Sequence, residues 1–245
     1  MTRNSDKQTL LILAVLVPAV FAGLVSLSWW QLQRGNDKAA LHRAFDSTAG
    51  MQELAAPSHA DLAEAGLYSD VSLAGHYMTD RQFLLDNMNG SGGAGYHVLT
   101  PFRIEGSDAV VLVDRGWVRK DFGAALPAID VGAGARKVSG KLAPLPRPGL
   151  VLPAEEASGW PRVVQFSSLE VLAGQLGEPL GEFILLLAAS DGDGFERDWQ
   201  PPGLLPERHY AYAFQWGALA LTWVTIFVVL AVRRQRRKRS TTESE

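Results

Sequence analysis

The chain has 245 residues, a formal net charge of −3 and no cysteine. The missing thiols exclude disulfides, iron–sulfur clusters and thiolate zinc sites, so any folded domain stands on its hydrophobic core. The length holds one well-cored domain rather than two large ones, and the absence of a basic excess speaks against nucleic acid as a partner.

Residues 1–9 form a short polar N-terminus with Arg3 and Lys7. Leu10 to Trp30 is then a 21-residue run without a charged side chain. At about 1.5 Å per residue it can cross a hydrocarbon core of about 30 Å as a helix. Pro18 and Gly23 do not forbid this, because a kinked membrane helix repairs its hydrogen bonds locally. A cleaved signal peptide ending near Ser26-Leu27-Ser28 is the alternative. The apolar run is longer than a usual signal core of about 7–15 residues and its basic region is sparse, which favours an uncleaved anchor. Trp29, Trp30 and Gln31 mark a membrane interface.

Beyond them the pattern predicts a helix continuing to roughly Thr48, and a second helix over 58–65 capped by Ser58 with Asp61 and Glu64 in its first turns. From Tyr68 the periodicity changes to two. Strands are predicted over 70–77, 82–87, 95–104, 109–118, 138–142 and 163–166, with gaps rich in Asn, Gly, Ser and Asp, as in antiparallel hairpins and meanders. Residues 168–176 read as a helix and 182–189 as a buried strand. The fold class expected for residues 31–209 is therefore a mainly antiparallel β-sheet or small barrel with peripheral helices. Two Pro-rich patches (144–148 and 201–206) interrupt it, and the second leads stiffly into another apolar run.

That run, Tyr210 to Val232, has 23 residues and no charge. Six cations in the seven residues 233–239 follow, opening a basic tail over 233–245. Clusters of this kind stay cytoplasmic and favour anionic lipid head groups. Two spans, at 10–30 and 210–232, then place both termini in the cytoplasm and the middle in the periplasm. In a bacterium this is a two-span protein of the inner membrane, with the lipid bilayer as its first partner. The loop carries 15 Lys+Arg against 23 Asp+Glu, consistent with that orientation.

Signals of catalysis are poor, and the expectation is a non-enzyme with no catalytic residue. Asn89 to Gly95 is glycine-rich but lacks the lysine and the strand–helix setting of a nucleotide loop, and reads as a flexible hairpin tip. No serine sits in a Gly-x-Ser-x-Gly elbow. The five histidines show no His-x-x-His or His-Glu-x-x-His spacing, so no dedicated metal site is expected. His76 and His97 could meet across neighbouring strands, although two satisfied sheet histidines are the simpler reading. Two spots remain. Asp114-Arg115-Gly116 interrupts an apolar strand before Trp117; the glycine suggests a bulge or close backbone approach, and Arg115 either an internal carboxylate pair or an external anionic group. At the entry to the second run, helical periodicity puts His209, Tyr212, Trp216, Ala220 and Trp223 on one stripe. A histidine there could ligate a haem iron with Arg208 near the propionates. An interfacial aromatic belt packed on Trp29 and Trp30 accounts for the same residues, and both readings stay open on the residues alone.

Several segments taken together resemble the surfeit locus protein 1 family. They are Trp30-Gln31 with Arg34 and Lys38, Gly75-His76-Tyr77, Gly95-Tyr96 through Thr100-Pro101-Phe102, Val111 through Asp114-Arg115-Gly116-Trp117-Val118, and Arg208-His209 through Tyr212 to Trp216. They occur in order along the whole chain. Residues 129–162 carry no matching motif, and Asp114 stands where an asparagine is more familiar. The resemblance implies an assembly factor for haem–copper cytochrome oxidase that assists haem a delivery or insertion into the largest, catalytic subunit. It implies that subunit and the haem a synthesis machinery as partners, and haem a as a transient cofactor. His209 stands at the suspected ligand position, with Arg208, Tyr212 and Trp216 beside it. Gly75, Tyr96, Pro101, Arg115, Gly116 and Trp117 would then serve partner contact or structure. A structural chaperone that binds an oxidase subunit without haem is the alternative.

Overall fold

The computed structural model describes residues 2–47, 50–121, 123, 125–146, 159–165 and 168–242. Thr48, Pro148 and Phe166, the far ends of three predicted segments, lie outside the described residues, as do 243–245 of the tail. The chain divides into two compact units, residues 1–43 with 203–245 and residues 44–202.

The first unit is a pair of long helices. α1 spans Thr2–Asp46 and α4 spans Pro206–Thr242. Both are long and apolar enough to cross a membrane, the qualifying stretches being Ala14–Asp46 and Pro206–Arg237. Their outward side chains are apolar and unpacked: Phe214 is 79% exposed and Leu221 69%. In water that would be costly, whereas lipid is a matching solvent.

The second unit is the predicted mainly antiparallel barrel. β1 is Gln52–Glu53, α2 His59–Ala65, β2 Asp70–Tyr77, β3 Phe83–Gly90, β4 Gly93–Ile104, β5 Val110–Arg119, β6 Arg136–Ala143, β7 Arg162–Val164, α3 Leu169–Leu176 and β8 Ile184–Leu187. The sheet order is β1-β2-β6-β8-β5-β4-β3-β7, and an additional β2–β4 pairing closes β2, β6, β8, β5 and β4 into a ring. The twelve-residue β4 makes closure possible. Its C-terminal half pairs with β2 (Gly75↔Ile104, Tyr77↔Phe102) and its N-terminal half with β3 (Phe83↔Leu99, Leu85↔His97). Ring pairs are antiparallel except β5–β8.

The alternation read from the sequence fills the ring. Val71, Leu73, Tyr77, Phe102, Ile104, Val111, Val113, Val138, Leu142, Leu185 and Leu187 form one buried cluster, each at 2% exposure or less. Large apolar side chains buried this fully contribute about 1.5–3 kcal/mol each, which is how a domain without disulfides can stand. The Ser58 cap of α2 is a full capping box with Asp61, as the sequence predicted. α3 begins on Ser168 and stops at Gly177, which is left-handed.

Candidate functional site

The helix pair is joined at four levels by polar contacts. Trp223 Nε1 donates to the Val17 carbonyl at 3.1 Å, and Ser28 Oγ to the Ala213 carbonyl at 2.7 Å. His209 Nδ1 lies 2.9 Å from Gln31 Oε1, and the Tyr210 hydroxyl donates to Asn36 Oδ1 at 3.1 Å. Small residues let the backbones approach, as in many membrane helix pairs: Ala213 and Ala220 are buried, and the Tyr210 ring lies against Gly35. The buried face of α4 therefore runs through His209, Ala213 and Ala220. This differs in part from the stripe read from the sequence. His209 is only 9% exposed, but Tyr212 is 47% exposed and Arg208 is exposed, with Trp216 half-buried. Of the predicted stripe, His209 and Ala220 are inside the pair and Trp223 bonds across it, whereas Tyr212 and Trp216, with Arg208, are at or beyond its edge. Trp29 and Trp30 are 61% and 57% exposed, so their rings face the surroundings of the helix pair rather than its inside.

The His209–Gln31 contact has a chemical consequence. An amide oxygen only accepts, so the imidazole donates from Nδ1, and in a neutral ring the nitrogen without a proton is then Nε2. Gln31 was read as an interface marker in the sequence. Its link to a residue 178 positions away is a tertiary fact that no local pattern encodes.

In the barrel, Arg115 is 3% exposed. Among the described residues no carboxylate forms an ion pair with it, so the internal carboxylate pair expected as one reading is not what holds it. Its guanidinium donates to the carbonyls of Asp193 (2.8 Å), Ile129 (2.8 Å) and Asp130 (3.3 Å) and to Gln82 Oε1 (3.2 Å). It also lies over the Phe195 ring at 4.9 Å. The Asp193 carboxylate is taken by Arg136 instead. Five planar donors suit scattered carbonyls, which the two connecting segments around 129–130 and 193 supply and a single acid would not. Burial pushes the guanidinium pKa below its ordinary value, opposed by Tyr77 and Asp193.

The predicted bulge is present. His97 pairs with Trp117 and Leu99 with Asp114, so Arg115 and Gly116 together oppose Val98. Gly116 has φ 110°, and a Cβ there would meet the Glu196 carbonyl oxygen at 2.5 Å. The close approach is a real pairing, since Trp117 N donates to that oxygen at 2.7 Å. The Trp117 indole lies against Gly90 and Gly95 and donates to the Met88 carbonyl at 3.1 Å. Ser91 adds hydrogen bonds from N and Oγ to the Glu196 carboxylate. The glycine-rich hairpin tip is thus pinned rather than flexible: its glycines make room for a ring. Tyr96 is 6% exposed beneath Lys120, and Pro101 is buried in β4 opposite Leu112. With Gly75, buried in β2 opposite Ile104, the residues Arg115, Gly116, Trp117, Tyr96 and Pro101 are all inside or against the barrel wall.

His76 and His97 do not meet. His76 is exposed and faces Arg103 across the β2–β4 seam. His97 Nδ1 is 2.7 Å from Asp114 Oδ2, and Asp114 is fully buried with its other oxygen accepting from Gly116 N. The Trp199 ring covers the imidazole at 5.6 Å. The unfamiliar Asp114 was the sequence signal for this pair. Burial works against the charged imidazole, but Asp114 more than offsets it through charge and hydrogen bond, so the His97 pKa lies above its ordinary value. A raised folded-state pKa gives stability that is complete below the unfolded value of about 6.5 and is lost as pH rises through the folded value. Denaturation midpoints of the full chain should therefore fall between pH 6 and pH 8, and Asp114→Asn should flatten that slope. A flat wild-type profile would refute the pair's contribution.

A groove of about 500 Å³ beside β1 is lined by Glu53, Asp61 and Glu64 among others. Two of those acids already have partners, Lys137 for Glu53 and Ser58 for Asp61. Among the described residues no three of His, Asp and Glu converge as metal ligands.

The model of the SURF1 family matches residues 18–221. A SURF1-like protein of Rickettsia conorii is 26% identical over 230 residues, covering 87% of this chain and 89% of that protein. A SURF1-like protein of Rickettsia bellii is 32% identical over 102 residues, 40% of this chain and 39% of that protein. The cytochrome oxidase assembly protein SHY1 of Saccharomyces cerevisiae is 27% identical over 97 residues, 39% of this chain and 25% of that protein. The matched stretch is thus a minor part of the last two relatives.

Proposed function

The chain belongs to the SURF1 family, and from that premise we propose that it is a non-enzymatic assembly factor for haem–copper cytochrome oxidase. In this reading its two helices anchor it in the inner membrane, and it helps place haem a into the oxidase's largest subunit, receiving the haem from its synthesis machinery. The observation that carries the haem half is His209. It is buried in the helix pair at the start of α4, with Nδ1 committed to Gln31.

The donor set is of the kind that would hold haem a: the Nε2 lone pair of His209 would ligate the iron, Arg208 would offer an exposed cation to a propionate, and Tyr212 and Trp216 would offer ring faces. Haem a brings a long isoprenoid tail that belongs in lipid and propionates that belong in water. A helix that leaves the membrane at its first turn meets both needs, and one-sided ligation suits a protein that must release what it carries. His209→Ala should abolish or shift the visible haem spectrum of protein purified from a host that makes haem a, with insertion and abundance unchanged. An unchanged spectrum would remove the ligand assignment and leave the second reading, a chaperone of an oxidase subunit that uses no haem.

The proposed orientation rests on Arg233, Arg234, Arg236 and Arg237 at the end of α4. Reporter fusions after Lys238 should read cytoplasm and insertions near Asp130 periplasm. A periplasmic tail would contradict it.

A further inference from the structure

We propose that Gln31 is a positioning residue for the haem ligand: its side-chain oxygen accepts the Nδ1 proton of His209 and holds the ring in the tautomer whose Nε2 lone pair is open to iron. The proposal rests on the reading of His209 as an axial ligand and adds what makes that histidine competent. A neutral imidazole has two tautomers, and only one leaves Nε2 without a proton. In water the two interconvert freely. In the helix pair Gln31 Oε1 stands 2.9 Å from Nδ1, and His209 is shielded to 9% exposure, so solvent competes for that proton far less than it would in water. Ligating histidines are ordinarily held in this way, by an acceptor on the nitrogen that does not bind the metal.

The two residues come from different helices, so the ligand is set only when the pair has assembled. The other interhelical contacts differ in kind. Ser28 and Trp223 donate to backbone carbonyls, and Tyr210 donates to Asn36. None of them involves a group with a second nitrogen to offer. Gln31 could still be helix glue and nothing more, and the Tyr210–Asn36 contact supplies the control for that possibility.

The experiment uses the full chain in lipid nanodiscs, with 15N-labelled histidine and added haem, and compares Gln31→Leu, Gln31→Glu, Asn36→Ala and His209→Ala. In the haem-free protein the His209 signal, identified by its loss in His209→Ala, should report a single Nδ1–H tautomer in wild type and Asn36→Ala. In Gln31→Leu it should become a mixture or move to Nε2–H. With haem, Gln31→Leu should lose about 10-fold or more in affinity. Gln31→Glu, which keeps an acceptor that cannot turn a donor toward the ring, should retain binding and lower the haem reduction potential. Asn36→Ala should keep wild-type affinity. A Gln31→Leu protein with the wild-type tautomer, or with an affinity equal to that of Asn36→Ala, would overturn the proposal. Haem lost in His209→Ala but kept in Gln31→Leu is failure of Gln31 alone. Haem kept in His209→Ala is failure of the ligand reading, and the role of Gln31 toward haem falls with it.

Discussion

Replacing Arg115 with leucine should lower the stability of the barrel domain by about 2–4 kcal/mol. The buried carbonyl of Ile129 and the part-buried ones of Asp130 and Asp193 would lose their donor. An unsatisfied buried acceptor costs about 1–3 kcal/mol, and leucine satisfies none of them. Gln82 is partly protected because Thr100 also donates to its oxygen. A domain of this size has only about 5–15 kcal/mol in total, so the variant should be scarce in cells and melt well below the wild type. Arg115→Lys should recover part of the loss, since an ammonium keeps the charge but cannot span carbonyls on two separate segments from one plane. The carbonyls, amide and ring that hold Arg115 belong to its own domain, so lost oxidase activity in this variant should track lost protein. Normal abundance and an unchanged melting temperature in Arg115→Leu would defeat this account.

Gly75→Val should be as damaging, by a different route. A Cβ at Gly75 would run into the Arg103 carbonyl oxygen and approach Phe102 Cε1 to 2.7 Å. The obstacle is backbone at the seam where β2 closes on β4, so a rotamer change cannot relieve it. Overpacking a core costs about 1–3 kcal/mol when side chains can yield, and a seam that cannot yield should lose its pairing altogether. Gly174→Ala gives the opposite sign in the same assay. That glycine is inside α3 with open space around its would-be Cβ, and alanine there should add about 0.5–1 kcal/mol. Thermal midpoints of the three proteins decide the matter: a Gly75→Val protein as stable as wild type would mean that the seam is not needed.

These two sites also mark where the sequence was readable and where it was not. The apolar runs of α1 and α4, the period-two strands and the Ser58 cap are local signals, and they placed nearly every element within a few residues. The β2–β4 closure and the parallel β5–β8 pairing join segments far apart in the chain, and nothing in Gly75 or Leu186 announces its partner. Arg115 was legible as an anomaly, an arginine and glycine inside an apolar strand. Its true partners were carbonyls, which every residue possesses and which therefore leave no mark in a sequence. The same holds for the candidate site. His209 stood out through periodicity and its aromatic setting, whereas Gln31 is recognisable only once two helices lie side by side. Tyr212 was put on the stripe by an ideal 100° step, but the face that meets α1 passes through Ala213, because small residues let backbones approach.

The contacts between α1 and α4 also impose an order in time. Gln31 is made 178 residues before His209. At synthesis rates of about 5–20 residues per second, about 10–40 s separate them. In the proposed two-span topology the first helix would spend that interval with the side chains of Ser28, Gln31 and Asn36 lacking their interhelical partners, while the whole barrel is translated. The last helix to arrive completes the first one, so a ribosome that stalls or a barrel that folds late leaves a half-finished anchor with no assembled histidine. Quality control that senses unpaired polar groups in membrane helices would then have a natural window in which to act on this protein.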